Sequence, residues 1–128
     1  MLPLYSPEKA PVVLIADDDE DLLMLVKTQL QKEGFKVKLS HNGNNILRIA
    51  EEENVDIILL DVTMDGIDGK DICRMLKAHK VTSSIPVILF SGNDALDTIA
   101  MSCGADGFVS KPFEAALVKK KIMDTLLK

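Results

Sequence analysis

Short apolar runs and longer amphipathic stretches alternate five times along the chain. The runs read PVVLIA, FKVKLS, VDIILLD, IPVILFS and DGFVSK, each of strand length. Between them, apolar residues recur at helical spacing. Leu22, Val26 and Leu30 share a face in the first helical stretch, and Leu96, Ile99, Ala100 and Cys103 do so in the fourth. Gly104 then supplies a C-terminal stop. In the last stretch Ala115, Val118, Ile122 and Leu126 fall on one side. Its Lys119, Lys120 and Lys121 predict a solvated face that partly complements the helix dipole. This alternation predicts an α/β fold: a five-stranded parallel sheet with right-handed crossovers and helices on both faces. VDIILLD and PVILFS are apolar throughout, which predicts central strands covered on both sides. FKVKLS sets Phe35, Val37 and Leu39 against Lys36, Lys38 and Ser40, which suits an edge with one wet face. A second strand lying at an edge fits the doubly wound order 2-1-3-4-5.

Composition narrows the class without naming a function. The 128 residues suffice for one domain. Pro3, Pro7 and Pro11 make residues 1–10 an extended N-terminal arm, and the folded domain spans 11–128. A net charge of -5 argues against direct nucleic-acid binding, which wants a basic face. No apolar run approaches a membrane span, and the start lacks the features of a signal peptide. Cys73 and Cys103 have no metal-site or secreted spacing and read as reduced, unreactive thiols of a cytoplasmic protein. His41 and His79 are too isolated for a metal site or a phosphorelay histidine. The six methionines read as core filling.

Candidate chemistry appears when the strand ends are compared. Ligands of open parallel sheets bind outside the carboxyl ends of the strands. There the first strand presents Asp17 and Asp18, the third Asp61, the fourth Ser91 and the fifth Lys111. In the predicted order the first and third strands are neighbours, so three carboxylates should converge. Such a cluster either keeps a proton or binds a cation. Hard oxygen ligands with room for water suit Mg²⁺, which takes one or two carboxylates plus a phosphate oxygen. Ser91 and Lys111 would add a hydrogen bond and a point charge for a phosphoryl group. The central carboxylate could then attack phosphorus and form an aspartyl phosphate. Asp19, Glu20 and Asp21 are better explained as first-turn acids at the positive end of a helix. Taken alone, Asp17 and Asp18 admit that same explanation.

With ADDDE after the first strand, LLDVTMDGIDG after the third, FSG after the fourth and GADGFVSKPF across the fifth, the chain resembles the response-regulator receiver domains of two-component signalling. The resemblance covers residues 11–128 and implies the flavodoxin-like variant of the doubly wound fold. It implies that Asp61 accepts a phosphoryl group from a sensor histidine kinase or a histidine phosphotransfer protein. It implies that Asp18 and Asp61 bind Mg²⁺ directly, with the backbone carbonyl of Thr63, and that Asp17 helps through water. It assigns Ser91 a hydrogen bond to the phosphoryl oxygens, Lys111 an ion pair with them, and Phe108 the aromatic switch position. The Lys111–Pro112 bond falls where the family usually has a cis peptide. On this view the protein is not a conventional enzyme, although it promotes its own phosphorylation and dephosphorylation. Phosphorylation would change the surface of the fourth helix, fifth strand and fifth helix, where a downstream target, an output domain or a second copy could bind.

Some residues depart from the family pattern. Asp65 stands where proline is usual, which should loosen the loop and adds a fourth acid near the pocket. Gly92 occupies a position where a small residue is usual, and Thr63 and Asn93 occupy positions that tune dephosphorylation. Three other classes fit the motifs less well. A flavodoxin-like nucleotide binder would want a glycine- and hydroxyl-rich loop after the first strand. A haloacid-dehalogenase-type phosphatase would want an Asp where Thr63 stands. An interaction-only receiver would not need the complete pocket. The chain stops just after its fifth helical stretch, so it is either a stand-alone regulator or part of a longer regulator or hybrid kinase.

Overall fold

The computed structural model describes residues 10–41, 45–64, 67–91, 102–110 and 115–127, with the side chains of 63, 64, 67, 91 and 115 outside that description. The sheet strands are β1 (Val12–Ala16), β2 (Lys36–Ser40), β3 (Ile57–Asp61), β4 (Val87–Ser91) and β5 (Gly107–Ser110). Every neighbouring pair is parallel, and the order is β2-β1-β3-β4-β5, as the pattern predicts. The helices are α1 (Glu20–Lys32), α2 (Ile46–Glu52), α3 (Gly69–Ala78) and a C-terminal helix, Ala115–Leu126. Of the predicted fourth helix, Ser102 and Cys103 are described as helical, and Gly104 follows at φ 85°, the left-handed conformation of a helix stop. The rest of that stretch, from Leu96 to Ala100, lies outside the described residues, as does the arm up to residue 9.

Successive residues of a strand point to opposite faces, so a strand covered on both sides must be apolar at every position. Leu14, Ile58, Leu60 and Leu89 face α2 and α3, meeting Ile46, Ile72 and Leu76. Val13, Ile15, Ile57, Leu59 and Ile88 face α1 and the C-terminal helix, meeting Leu23, Leu30, Val118 and Ile122. Each such fully buried aliphatic side chain contributes about 1.5–3 kcal/mol. β2 is an edge strand, with Lys36 and Lys38 exposed and Val37 and Leu39 half-buried.

In α1 the predicted face of Leu22, Val26 and Leu30 packs on the core, with Leu23 added to it and Leu22 half-buried at its margin. Two expectations need correction. Met24 and Met75 are exposed, at 53% and 55%, so the methionines are not uniformly core filling. The lysine run does not reach the last turn of its helix and so cannot complement the dipole there. Instead Lys119 bonds Glu33 at the end of α1 (2.7 Å) and Lys120 bonds Asp124 (2.9 Å). Among the described residues no helix is long and apolar enough to cross a membrane.

Candidate functional site

The site is assembled by two strand ends and the turn that starts each following helix. Past the end of β1, the Asp17 amide still donates to Ser40 O (3.1 Å), which holds it in line with β2. Asp17 is fully buried and its Oδ1 accepts the amide of Asp19 (2.9 Å). That short turn leaves Asp18 exposed and sets Asp19 at the N-cap of α1, where its Oδ1 accepts the Leu22 amide (3.1 Å). Asp19 therefore caps the helix, as the first-turn reading expects.

Asp61 ends β3 and is only 4% exposed. Two bonds from Val62 fix its peptide. The Val62 amide donates to Phe90 O of β4 (3.1 Å), and Val62 O accepts the Gly69 amide from the start of α3 (2.7 Å). Between them the chain forms a short antiparallel ladder, Thr63–Met64 against Ile67–Asp68. Thr63 is thus in the loop beside Asp61, with its side chain outside the described residues. Asp68 caps α3 by accepting the Lys70 amide (2.9 Å).

Convergence of the three carboxylates is the central result. One oxygen each from Asp17, Asp18 and Asp61 lies within 4.8 Å of the others. At that separation the Asp17–Asp61 repulsion is about 3.5 kcal/mol at an effective dielectric of 20. Three hard oxygens, two of them buried and one open to solvent, fit a divalent cation that keeps part of its water shell.

The remaining candidates are placed only in part. Ser91 ends β4 beside Ser110 of β5, but its side chain lies outside the described residues. Lys111 and Pro112 lie outside them, as do Asp65, Gly92 and Asn93. Phe108 pairs in register with Leu89 and is 40% exposed, with the Lys121 ammonium 6.0 Å from its ring centroid. Cys73 and Cys103 are buried away from this end, and burial, together with a hydrogen bond to Cys103, pushes the Cys73 thiol up to about 12. That agrees with an inert structural thiol. His79 pairs with Glu51 (3.1 Å) and takes no part in the cluster.

Sequence reading passed over Gly69. Its one local signal, an Asp-Gly pair opening an amphipathic helix, reads as a cap. Its contact with the peptide of Asp61 exists only in three dimensions.

Comparison with known proteins agrees with this architecture. The family model described as the response regulator receiver domain matches residues 13–123. The sensory transduction protein RegX3 of Mycolicibacterium smegmatis is 37% identical over 105 residues, covering 80% of this chain and 45% of its own length. The chain spans about half the length of the curated relatives it matches. Among solved structures, the chemotaxis response regulator CheY4 of Vibrio cholerae has a TM-score of 0.84 at 22% identity, over 91% of this chain and 98% of that one. The receiver domain of the sensor histidine kinase PA1611 of Pseudomonas aeruginosa, solved with a magnesium ion coordinated in its active site cleft, has a TM-score of 0.84 at 22% identity, over 93% and 99%. At these identities the two structures establish the shared fold.

Proposed function

The chain belongs to the response-regulator receiver family, and from that premise we propose that Asp61 is its phosphoacceptor. The donor is a phosphohistidine of a sensor histidine kinase or a histidine phosphotransfer protein. The observation that carries this reading is the meeting of Asp17, Asp18 and Asp61 at the carboxyl ends of β1 and β3. Asp18 and Asp61 would hold Mg²⁺ with the Thr63 carbonyl, and Asp17 would help through water. The magnesium in the cleft of the PA1611 receiver supports this assignment. When bound, the ion offsets charge on the phosphoryl oxygens.

The chain's own residues do the rest. Asp61 is fixed by its peptide and presents one carboxylate oxygen to phosphorus. The P–N bond of the donor breaks as the P–O bond to Asp61 forms, and the imidazole leaves and takes up a proton. Lys111 pairs with the equatorial oxygens and Ser91 hydrogen-bonds to them, both stabilising charge that builds in transfer. Phe108, half out of the surface, is the residue free to turn inward when Ser91 moves toward the phosphoryl group. That turn alters the face built from the fourth helix, β5 and the C-terminal helix, a population shift driven by local charge. A downstream target, an attached output domain or a second copy reads this face. Residues 11–128 form the receiver unit, which works in the cytoplasm.

Intact mass after incubation with acetyl phosphate tests the reading. We expect one phosphoryl adduct that needs Mg²⁺ and is absent from Asp61→Asn. Absence of any adduct on the folded wild-type protein would overturn it and favour an interaction-only module.

A further inference from the structure

We propose that Gly69 is a positioning residue for Asp61: its missing side chain lets the first turn of α3 rest directly on the Asp61–Val62 peptide and hold the carboxylate in the cluster. This rests on Asp61 being the phosphoacceptor.

Gly69 is buried and opens α3 immediately after the cap residue Asp68. A Cβ built there would collide with the carbonyl oxygen of Asp61 and would lie 2.9 Å from both Cα and O of Val62. These are backbone atoms and cannot swing aside as a flexible side chain would. Backbone conformation does not explain the glycine. The described glycines with positive φ are Gly34 and Gly104, and Gly69 is not among them. An L-residue could adopt its dihedrals, so close approach alone demands glycine here.

The approach serves a purpose because of where the peptide lies. Residues 61 and 62 are where the chain leaves the sheet. On one side the Val62 amide is held by Phe90 O (3.1 Å), and on the other Val62 O is held by the Gly69 amide (2.7 Å). The backbone carrying Asp61 is therefore clamped between β4 and α3. Adding a methyl group must move one wall of that clamp by on the order of 1 Å, a displacement that can cost up to about a hundredfold in a positioned reaction.

The test uses the full chain and three variants. Gly69→Ala adds the methyl group. Asp68→Ala weakens the start of the same helix without adding atoms near Asp61. Gly34→Ala strains a φ of 96° with nothing within 4 Å, far from the cluster. Each is assayed for the Mg²⁺-dependent rise in urea midpoint and for the initial rate of acetyl phosphate uptake. Gly69→Ala should lose at least about tenfold in Mg²⁺ affinity and in uptake. The other two should stay within about twofold of wild type while losing stability. Retention of both properties by Gly69→Ala would overturn the proposal, and so would an equal loss in Asp68→Ala, which would make helix stability the cause. Trimethylamine N-oxide keeps a marginal variant folded for these assays. Amide NMR shifts of Asp61 and Val62, read without metal or donor, give an independent measure. They should move in Gly69→Ala and stay in place in Asp68→Ala. Unmoved shifts in Gly69→Ala would refute the positioning role. A wild-type protein without adduct would instead refute the phosphoacceptor reading, while the shifts would still decide the geometry.

Discussion

Neutralising Asp61 should stabilise the metal-free protein and abolish its response to Mg²⁺. Asp17 is fully buried, Asp61 nearly so, and their oxygens lie within 4.8 Å. The pair costs about 3.5 kcal/mol at an effective dielectric of 20. Part of that is offset already. Hydrogen bonds to a charged carboxylate contribute roughly 1.5–3 kcal/mol, and neutralising Asp61 weakens any that it accepts. Asp61→Asn keeps the shape and removes one charge, so a net gain of about 1–2 kcal/mol is expected in chelator. For a domain of this size that is roughly 4–8 °C in Tm. With Mg²⁺ at about ten times its Kd, wild type gains about 1.4 kcal/mol by mass action and the variant gains nothing. The difference between the two proteins should therefore shrink or invert on adding metal. The assay is urea unfolding followed by circular dichroism, with chelator and over a Mg²⁺ series, comparing midpoints at constant slope. A variant no more stable than wild type in chelator would show that the repulsion is absent. A variant that gains as much from Mg²⁺ as wild type would remove Asp61 from the metal site. Either result refutes the reasoning.

Three further outcomes follow from single contacts. Asp19→Ala removes the cap of α1 and should cost about 1 kcal/mol in urea unfolding while leaving Mg²⁺ binding intact. Asp106 holds Lys77 Nζ (2.7 Å) and accepts the Val87 amide (2.8 Å) through the same oxygen, tying α3 to β4 and the approach to β5. Asp106→Ala should cost about 2–3 kcal/mol, and Asp106→Asn less, since it can still accept from Val87; equal losses would show that the acceptor for Val87 contributes nothing without the charge. The Cys73 thiol is raised from 9.0 to about 12 in the fold, so the unfolded chain gives up this proton first as pH rises. Its burial thus contributes stability that is complete below about pH 9 and is lost progressively between 9 and 12. Wild type should fall more steeply than Cys73→Ala as pH rises above about 9, and parallel curves there would contradict the assignment.

Much of the architecture was legible in the order of residues because burial has a period. β3 and β4 are apolar at successive positions, and only a strand covered on both faces needs that. The lysines of β2 marked its edge, and from those two facts the strand order followed. The same order, with the rule that ligands meet strand ends, was enough to bring Asp17, Asp18 and Asp61 together as candidates. What periodicity cannot carry is distance and orientation. In α1 Leu23 joins Leu22, Val26 and Leu30 on the core and is more deeply buried than Leu22, because the sheet, not the helix, sets where the stripe is centred. Met24 and Met75 look like core residues by type, but their helices turn them outward. Burial of Asp17 beside an exposed Asp18 came from one turn pinned to Ser40 and Asp19. The Lys77–Asp106 pair and the seat of Gly69 on the Asp61 peptide join residues that are distant in the chain, each ordinary in its own neighbourhood. A sequence of amino acids determines which faces must leave water, since that depends on local spacing. Which atoms then meet depends on how whole elements pack against one another, and only the tertiary structure decides that.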